Sequence, residues 1–216
     1  MEIVIDPRFN GPPGTANGGY TCGLLAERIG EPAEITLRAP PPLGRPLRFD
    51  GERLCDGERL VAEARRTELE LDPPPPVALD EAERASLRYP GFDAHEYPTC
   101  FVCGPAREDG LRIYAGPVAG TGLFAAPWTV PADVSRTIVW AALDCPGAIG
   151  VGWEGRGSWL LGRMAGEVRA VPAPGERCVV VAWPLGSEGR KGFAGTAVYR
   201  GDELLAAARQ TWIAPG

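Results

Sequence analysis

Ser135-Arg136-Thr137-Ile138-Val139-Trp140-Ala141-Ala142-Leu143-Asp144-Cys145-Pro146-Gly147 is the stretch that decides the fold. From Ile138 to Leu143 every residue is apolar, the pattern of a helix enclosed by protein rather than laid on a surface. Asp144 puts a carboxylate at the end of that run, where desolvation opposes ionisation unless partners compensate. Pro146 lacks a backbone donor and crowds the preceding turn, so the helix is expected to end or kink there. Taken alone, Asp144 also fits a surface residue beside a helix break, and the rest of the chain has to decide.

Upstream, Phe9-Asn10-Gly11-Pro12-Pro13-Gly14-Thr15-Ala16-Asn17-Gly18-Gly19 is a turn-rich loop. Asn17 is a good N-cap for the segment that follows, in which Tyr20, Leu24, Leu25 and Ile29 recur at helical spacing until Gly30 ends the run. A Gly-Gly pair at a helix start leaves backbone N–H groups unshielded at the positive end of the dipole, a place for a carbonyl oxygen gaining negative charge. Two glycines that merely let the loop turn are the plainer alternative.

Strands follow. Glu34–Arg38 alternates, Pro40 to Gly44 interrupts, Pro46–Leu54 reads as extended, Asp56-Gly57 signals a hairpin, and Glu58–Leu71 returns as a long strand. Asp72-Pro73-Pro74-Pro75-Pro76 then makes a stiff spacer, and Asp80 with Glu83 suggests a capping box for a short helix through Arg88. The expected division is a unit over 1–72, a linker over 73–99 and a second unit over 100–216.

The second part repeats the first. Gly57–Leu69 lies over Gly201–Ile213 without a gap at an offset of 144, identical at six of thirteen positions. Arg38–Gly44 lies over Arg169–Gly175 at an offset of 131, again a strand running into a Pro/Gly corner. Two matches in the same order make an internal duplication the better reading, with the Tyr20–Ile29 helix answering the one at Thr137–Leu143.

Composition narrows the function. The 216 residues, 44% hydrophobic and 23% charged, suit a soluble globular protein with a real core, and the net charge of −6 argues against nucleic acid or anionic membrane as partner. No basic-then-apolar leader opens the chain and no run approaches a membrane span, so the expected place is the cytoplasm, with six reduced cysteines. Cys100-x-x-Cys103 with His95 could begin a zinc site, but a structural site takes four ligands and no second pair appears, so no metal and no cofactor are expected. Gly150-x-Gly152-x-x-Gly155 matches the dinucleotide fingerprint in letters only, since it follows a helix rather than a strand. No Gly-x-Ser-x-Gly occurs and the sole histidine sits in the linker, which disfavours a serine triad.

A buried helix followed by antiparallel strands, twice, resembles the tandem (double) hotdog fold of acyl-CoA thioesterases: an α+β architecture of two hotdog units, each a buried helix wrapped by an antiparallel sheet. Cys100-Phe101-Val102-Cys103-Gly104-Pro105 with Asp109-Gly110-Leu111 resembles the segment entering the sheet in many of these proteins. Trp140 to Asp144 resembles their helix, and Asn17-Gly18-Gly19 their His-Gly-Gly turn. In single-hotdog relatives a carboxylate follows that His by nine residues. Counting from Asn17 gives Ala26, with Glu27 one residue off; counting back from Asp144 gives Ser135, then Arg136, with no Gly-Gly. Relatives build each site from two subunits, so the resemblance implies one composite site in which Gly18 of the first unit meets Asp144 of the second.

The expected chemistry is hydrolysis of an acyl-CoA or related thioester. Its carbonyl oxygen would rest on the Gly18 amide, helped by Gly19, and Asp144 would act as general base on water or as nucleophile. Asn17 stands where relatives have His and would fix the turn or contact substrate. Asn10 and Trp140 are expected beside the substrate, and Arg190 with Lys191, the chain's only lysine, would meet coenzyme A phosphates unless they form a solvated turn. The missing His disfavours a hotdog dehydratase and leaves a second class open, a non-catalytic acyl-CoA-binding or sensing protein. A homodimer of tandem chains is compatible with the resemblance.

Overall fold

The central apolar run forms α3 (Arg136–Gly150), and in the computed structural model, which describes residues 1–152 and 159–214, all of Thr137 to Asp144 is buried. Ser135 caps it, its Oγ accepting the Ile138 N–H at 3.3 Å. The helix does not stop at Pro146 as the sequence suggested; it passes through the proline and continues for another turn. Its carbonyls gain an outside partner there, because Gln210 Nε2 donates to Leu143 O at 2.6 Å. Gly147 permits this approach, since a Cβ at that position would lie 1.6 Å from Gln210 Oε1.

The first helix, α1 (Gly18–Ile29), starts where Asn17 Oδ1 accepts the Tyr20 N–H at 2.8 Å. Its buried face differs from the apolar stripe expected. Leu25 is buried, but Tyr20, Leu24 and Ile29 are only half-buried, while Gly19, Thr21, Cys22, Gly23 and Ala26 turn inward. The cause is the partner: α1 crosses α3 so closely that a Cβ on Gly19 would come within 2.5 Å of Asp144 Cβ, and one on Gly23 within 2.7 Å of Trp140 Cβ. Small residues face the neighbouring helix, and the larger ones lie at the margins.

The strands are β1 (Glu2–Val4), β2 (Ala33–Leu37), β3 (Pro46–Phe49), β4 (Arg53–Asp56), β5 (Arg59–Arg66), β6 (Gly116–Pro117), β7 (Phe124–Thr129), β8 (Leu160–Val168), β9 (Arg177–Glu188), β10 (Lys191–Arg200) and β11 (Glu203–Ile213). They form one antiparallel sheet in the order β1-β3-β4-β5-β2-β8-β11-β10-β9-β7-β6. The seam is β2 against β8, with Ala33 opposite Gly166 and Thr36 opposite Arg163. Outward from it, β5-β4-β3 on one side mirrors β11-β10-β9 on the other, which is the duplication in three dimensions. The turn glycines match as well: Gly57 (φ 58°) and Gly201 (φ 56°) both take the left-handed conformation that bulkier residues avoid. Two hotdog units in tandem describe this α+β arrangement.

Local expectations fail in instructive places. Pro46–Leu54 is two strands, because Asp50 accepts the Glu52 and Arg53 N–H groups (3.0 and 2.7 Å) and turns the chain into a hairpin. The strand expected to reach Leu71 ends at Arg66. The short helix α2 (Leu79–Ser86) has no side-chain cap; Asp80 instead pairs with Arg84 at 2.9 Å and Glu83 with Arg177 at 2.6 Å. Residues 100–113 reach the first half, with the Phe101 N–H donating to Asn10 O at 2.8 Å and the Phe101 ring edge-on to Phe9.

Candidate active site

The crossing of α1 and α3 sets the geometry. Asp144, 3% exposed, receives the Gly19 N–H at 2.9 Å and the Asn17 Nδ2 at 2.7 Å, both on Oδ2. Because Asn17 Oδ1 is committed to the helix cap, its amide has only one orientation, and Nδ2 must face Asp144. The other carboxylate oxygen, Oδ1, is buried with no hydrogen-bond partner. Such an atom pays for its isolation unless a ligand or water joins it. Burial pushes the Asp144 carboxyl up to about 7; the Gly19 N–H pulls it down, nearby Cys100 raises it further and the Asn17 amide lowers it. The group therefore titrates near neutrality.

Beside it opens a cleft of about 420 Å³. Gly18, Asn17, Asp144 and Cys145 lie on its wall, with Leu37, Trp159, Leu161, Trp212 and Ile213 supplying apolar surface and Arg38 reaching it from the strand end. Among the described residues the Gly18 N–H donates to no acceptor. A larger hollow of about 630 Å³ lies on the outer sheet face among Glu34, Glu63, Arg65 and Arg163; its charges pair with one another, as Arg65 does with Glu34 at 2.7 Å, and it lacks a buried reactive group.

The expected site residues divide. Asn17, Gly18 and Asp144 come together in the cleft, although Gly19 does not offer its N–H to a carbonyl there, because Asp144 already takes it. Asn10 is held away from the cleft, donating to Gly11 O and Thr99 O (3.1 Å each) while its Oδ1 accepts from Arg107. Trp140 is fully buried; its Nε1 donates to Glu31 Oε1 at 2.8 Å, so it is core rather than a substrate contact. Arg190 sits in the exposed β9–β10 turn and donates to Ala214 O at 2.8 Å, while Lys191 opens β10, paired across the strands with Ile213, which lines the cleft. Gly155, in the rejected dinucleotide fingerprint, lies outside the described residues.

Sequence reasoning missed the third thiol. Cys100, Cys103 and Cys145 come together on the cleft wall, their sulfurs within 4.8 Å of one another, and His95 Nε2 lies 3.4 Å from Cys103 Sγ. Nothing in the spacing joined Cys145, next to Asp144, to the Cys-x-x-Cys segment more than forty residues before it.

A second, pseudo-equivalent position exists at the same helix crossing. With Asn17 laid over Ser135, Arg136 replaces Gly18, Thr137 replaces Gly19, Ala26 replaces Asp144 and Glu27 replaces Cys145. Thr137 Oγ1 donates to Glu27 Oε2 at 2.8 Å, and Arg136 donates to Glu31 Oε2 at 3.0 Å and to Val168 O. Neither the 420 Å³ cleft nor the 630 Å³ hollow is lined by Ala26, Glu27 or Ser135–Thr137.

No family model and no curated protein matches the chain. Solved structures do. A candidate thioesterase from Novosphingobium aromaticivorans superposes with a TM-score of 0.62 at 16% identity over 100% of this chain and 95% of its own. The tesB protein of Mycobacterium avium subspecies paratuberculosis gives 0.63 at 13% over 100% and 92%. A candidate thioesterase II from Thermobifida fusca gives 0.63 at 13% identity, over the same 100% and 92%. At such identities the likeness establishes the fold, which runs through both halves of the chain.

Proposed function

We propose that this chain hydrolyses an acyl-CoA or related thioester at the composite site. The observation that carries the reading is the buried, unpartnered Asp144 Oδ1 beside an unpaired Gly18 N–H in a largely apolar cleft. The names of the similar structures support the same reaction class. The thioester carbonyl oxygen accepts from the Gly18 N–H, at the positive end of α1, where negative charge is stabilised as the carbon turns tetrahedral. Asp144 Oδ1 takes a proton from water as the water oxygen bonds to that carbon; collapse breaks the C–S bond, and the proton passes to the departing sulfur. The products are a carboxylic acid and a thiol. Direct attack by Oδ1, followed by hydrolysis of the anhydride, uses the same atoms.

Asn17 cannot relay a proton as a His would, and here it fixes the carboxylate instead. That substitution favours the competing reading, a silent acyl-CoA-binding protein. Arg38 at the cleft, and Arg190 with Lys191 on the neighbouring turn, are the cations offered to coenzyme A phosphates. We take 1–72 and 100–216 as the two units joined by 73–99, a reducing cytoplasm as the compartment, and a homodimer of tandem chains as the assembly. No helix among the described residues is long and apolar enough to cross a membrane.

The test is thiol release across a panel of acyl-CoAds of increasing chain length, with binding measured in parallel on the parent and Asp144→Asn. The proposal expects turnover by the parent and a loss on the order of 10²–10⁴ in the variant with binding retained. Binding without turnover in the parent would establish the silent reading instead.

A further inference from the structure

We propose that Cys100, Cys103 and Cys145 bind a zinc(II) ion in the wall of the cleft. Their sulfurs lie within 4.8 Å of one another, with Cys100 and Cys145 at 3.7 Å. A tetrahedral site with Zn–S near 2.3 Å places its sulfurs about 3.8 Å apart, so the triangle holds the ion after a contraction of at most about 1 Å.

The loop is shaped for the task. Cys100-Phe101-Val102-Cys103-Gly104 closes on itself through the Gly104 N–H to Cys100 O at 2.9 Å. Only glycine fits at 104, where a Cβ would stand 2.5 Å from Cys100 N. The third sulfur comes from α3, one residue past Asp144, so the ion would tie the 100–104 turn to the helix that carries the carboxylate.

His95 completes the surroundings from outside. Its Nδ1 accepts the Tyr97 N–H at 3.0 Å, which places the ring proton on Nε2, 3.4 Å from Cys103 Sγ. The ring N–H faces Cys103, within reach of the ligand sulfur, where outer partners of metal ligands stand, and this leaves three protein ligands. The fourth position faces the cleft, which all three thiols line and which gives the ion its entry path. Soft thiolates select zinc over magnesium or calcium. Binding deprotonates the coordinating thiols and releases those protons to the buffer.

This site does not rest on the hydrolase reading, and its test does not use turnover. Full-length protein, stripped with a chelator under reducing conditions, is titrated with cobalt(II), and a thiolate-to-cobalt charge-transfer band is followed. The expected result is a band saturating at about one equivalent per chain and displaced by zinc. It should be lost or much weakened in Cys145→Ser and kept in Cys178→Ser, whose thiol lies elsewhere. Absence of the band in folded, reduced parent protein overturns the proposal even if Cys145→Ser does not fold. So does a band undiminished in a folded Cys145→Ser, or a thiol count that falls by two on purification, which marks a disulfide in place of the ion.

Discussion

The two helix-crossing positions began as copies and have become opposites. At one, Asn17-Gly18-Gly19 faces Asp144, small residues leave a cleft, and a carboxylate oxygen has no partner. At the other, Ser135-Arg136-Thr137 faces Ala26 and Glu27, Arg136 is tied to Glu31 and Val168, and Thr137 to Glu27. The second position is satisfied and the first is not. Duplication allows this division: the closed copy is tied by its own side chains, while the open copy keeps a buried carboxyl with one unpartnered oxygen. Paired substitutions at the two positions can therefore break or sharpen the comparison.

The largest expected difference is in stability. Asp144 is held at about 7, above the ~3.9 of an unfolded chain. The folded state therefore keeps a proton that the unfolded state loses. This contribution is fully present below about pH 4 and is lost as pH rises through about 7. Asp144→Asn removes the loss, so urea unfolding with a chelator present should show the variant gaining, on the order of a few kcal/mol, on the parent between pH 5 and pH 8.

Next comes Gly19→Ala, whose methyl would meet Asp144 Cβ at 2.5 Å. Crowding there should cost about 1–3 kcal/mol in thermal unfolding, and displacing the carboxylate should lower thiol release by roughly 10². Thr137→Ala, the matching change, loses one hydrogen bond worth about 1 kcal/mol and leaves thiol release alone. Asn17→Ala removes a helix cap at about 1 kcal/mol and one of the two donors on Asp144, so kcat should fall more than KM changes. Ser135→Ala should show the cap loss only. Smallest of all is Glu27→Gln, within about 0.5 kcal/mol in stability and with thiol release unchanged.

The fold was legible because duplication leaves a trace in turn chemistry: Gly57 and Gly201, with the strands behind them, align without a gap. Asn17 could be read as a cap for the same reason, since a cap depends on its immediate neighbours. What escaped depends on distant contacts. The inward face of α1 is set by α3 crossing it, which no helical periodicity reveals. Gly19 was read as a donor to substrate, but the carboxylate it holds lies 125 residues away in sequence. Cys145 could not be joined to Cys100 and Cys103 until the helix had been placed against their turn. Trp140 looked like a substrate contact because the sequence does not say which side of a wholly apolar helix faces the cleft.

The central claim is that one composite site survives, built from Gly18 of the first half and Asp144 of the second. A crystal structure of Asp144→Asn with an acyl-CoA bound tests it most directly. The account predicts the thioester carbonyl oxygen at hydrogen-bonding distance, about 3 Å, from Gly18 N, with the carbonyl carbon facing the side chain at 144. A thioester seated between Ser135–Thr137 and Ala26, or one that touches neither Gly18 nor position 144, would contradict it.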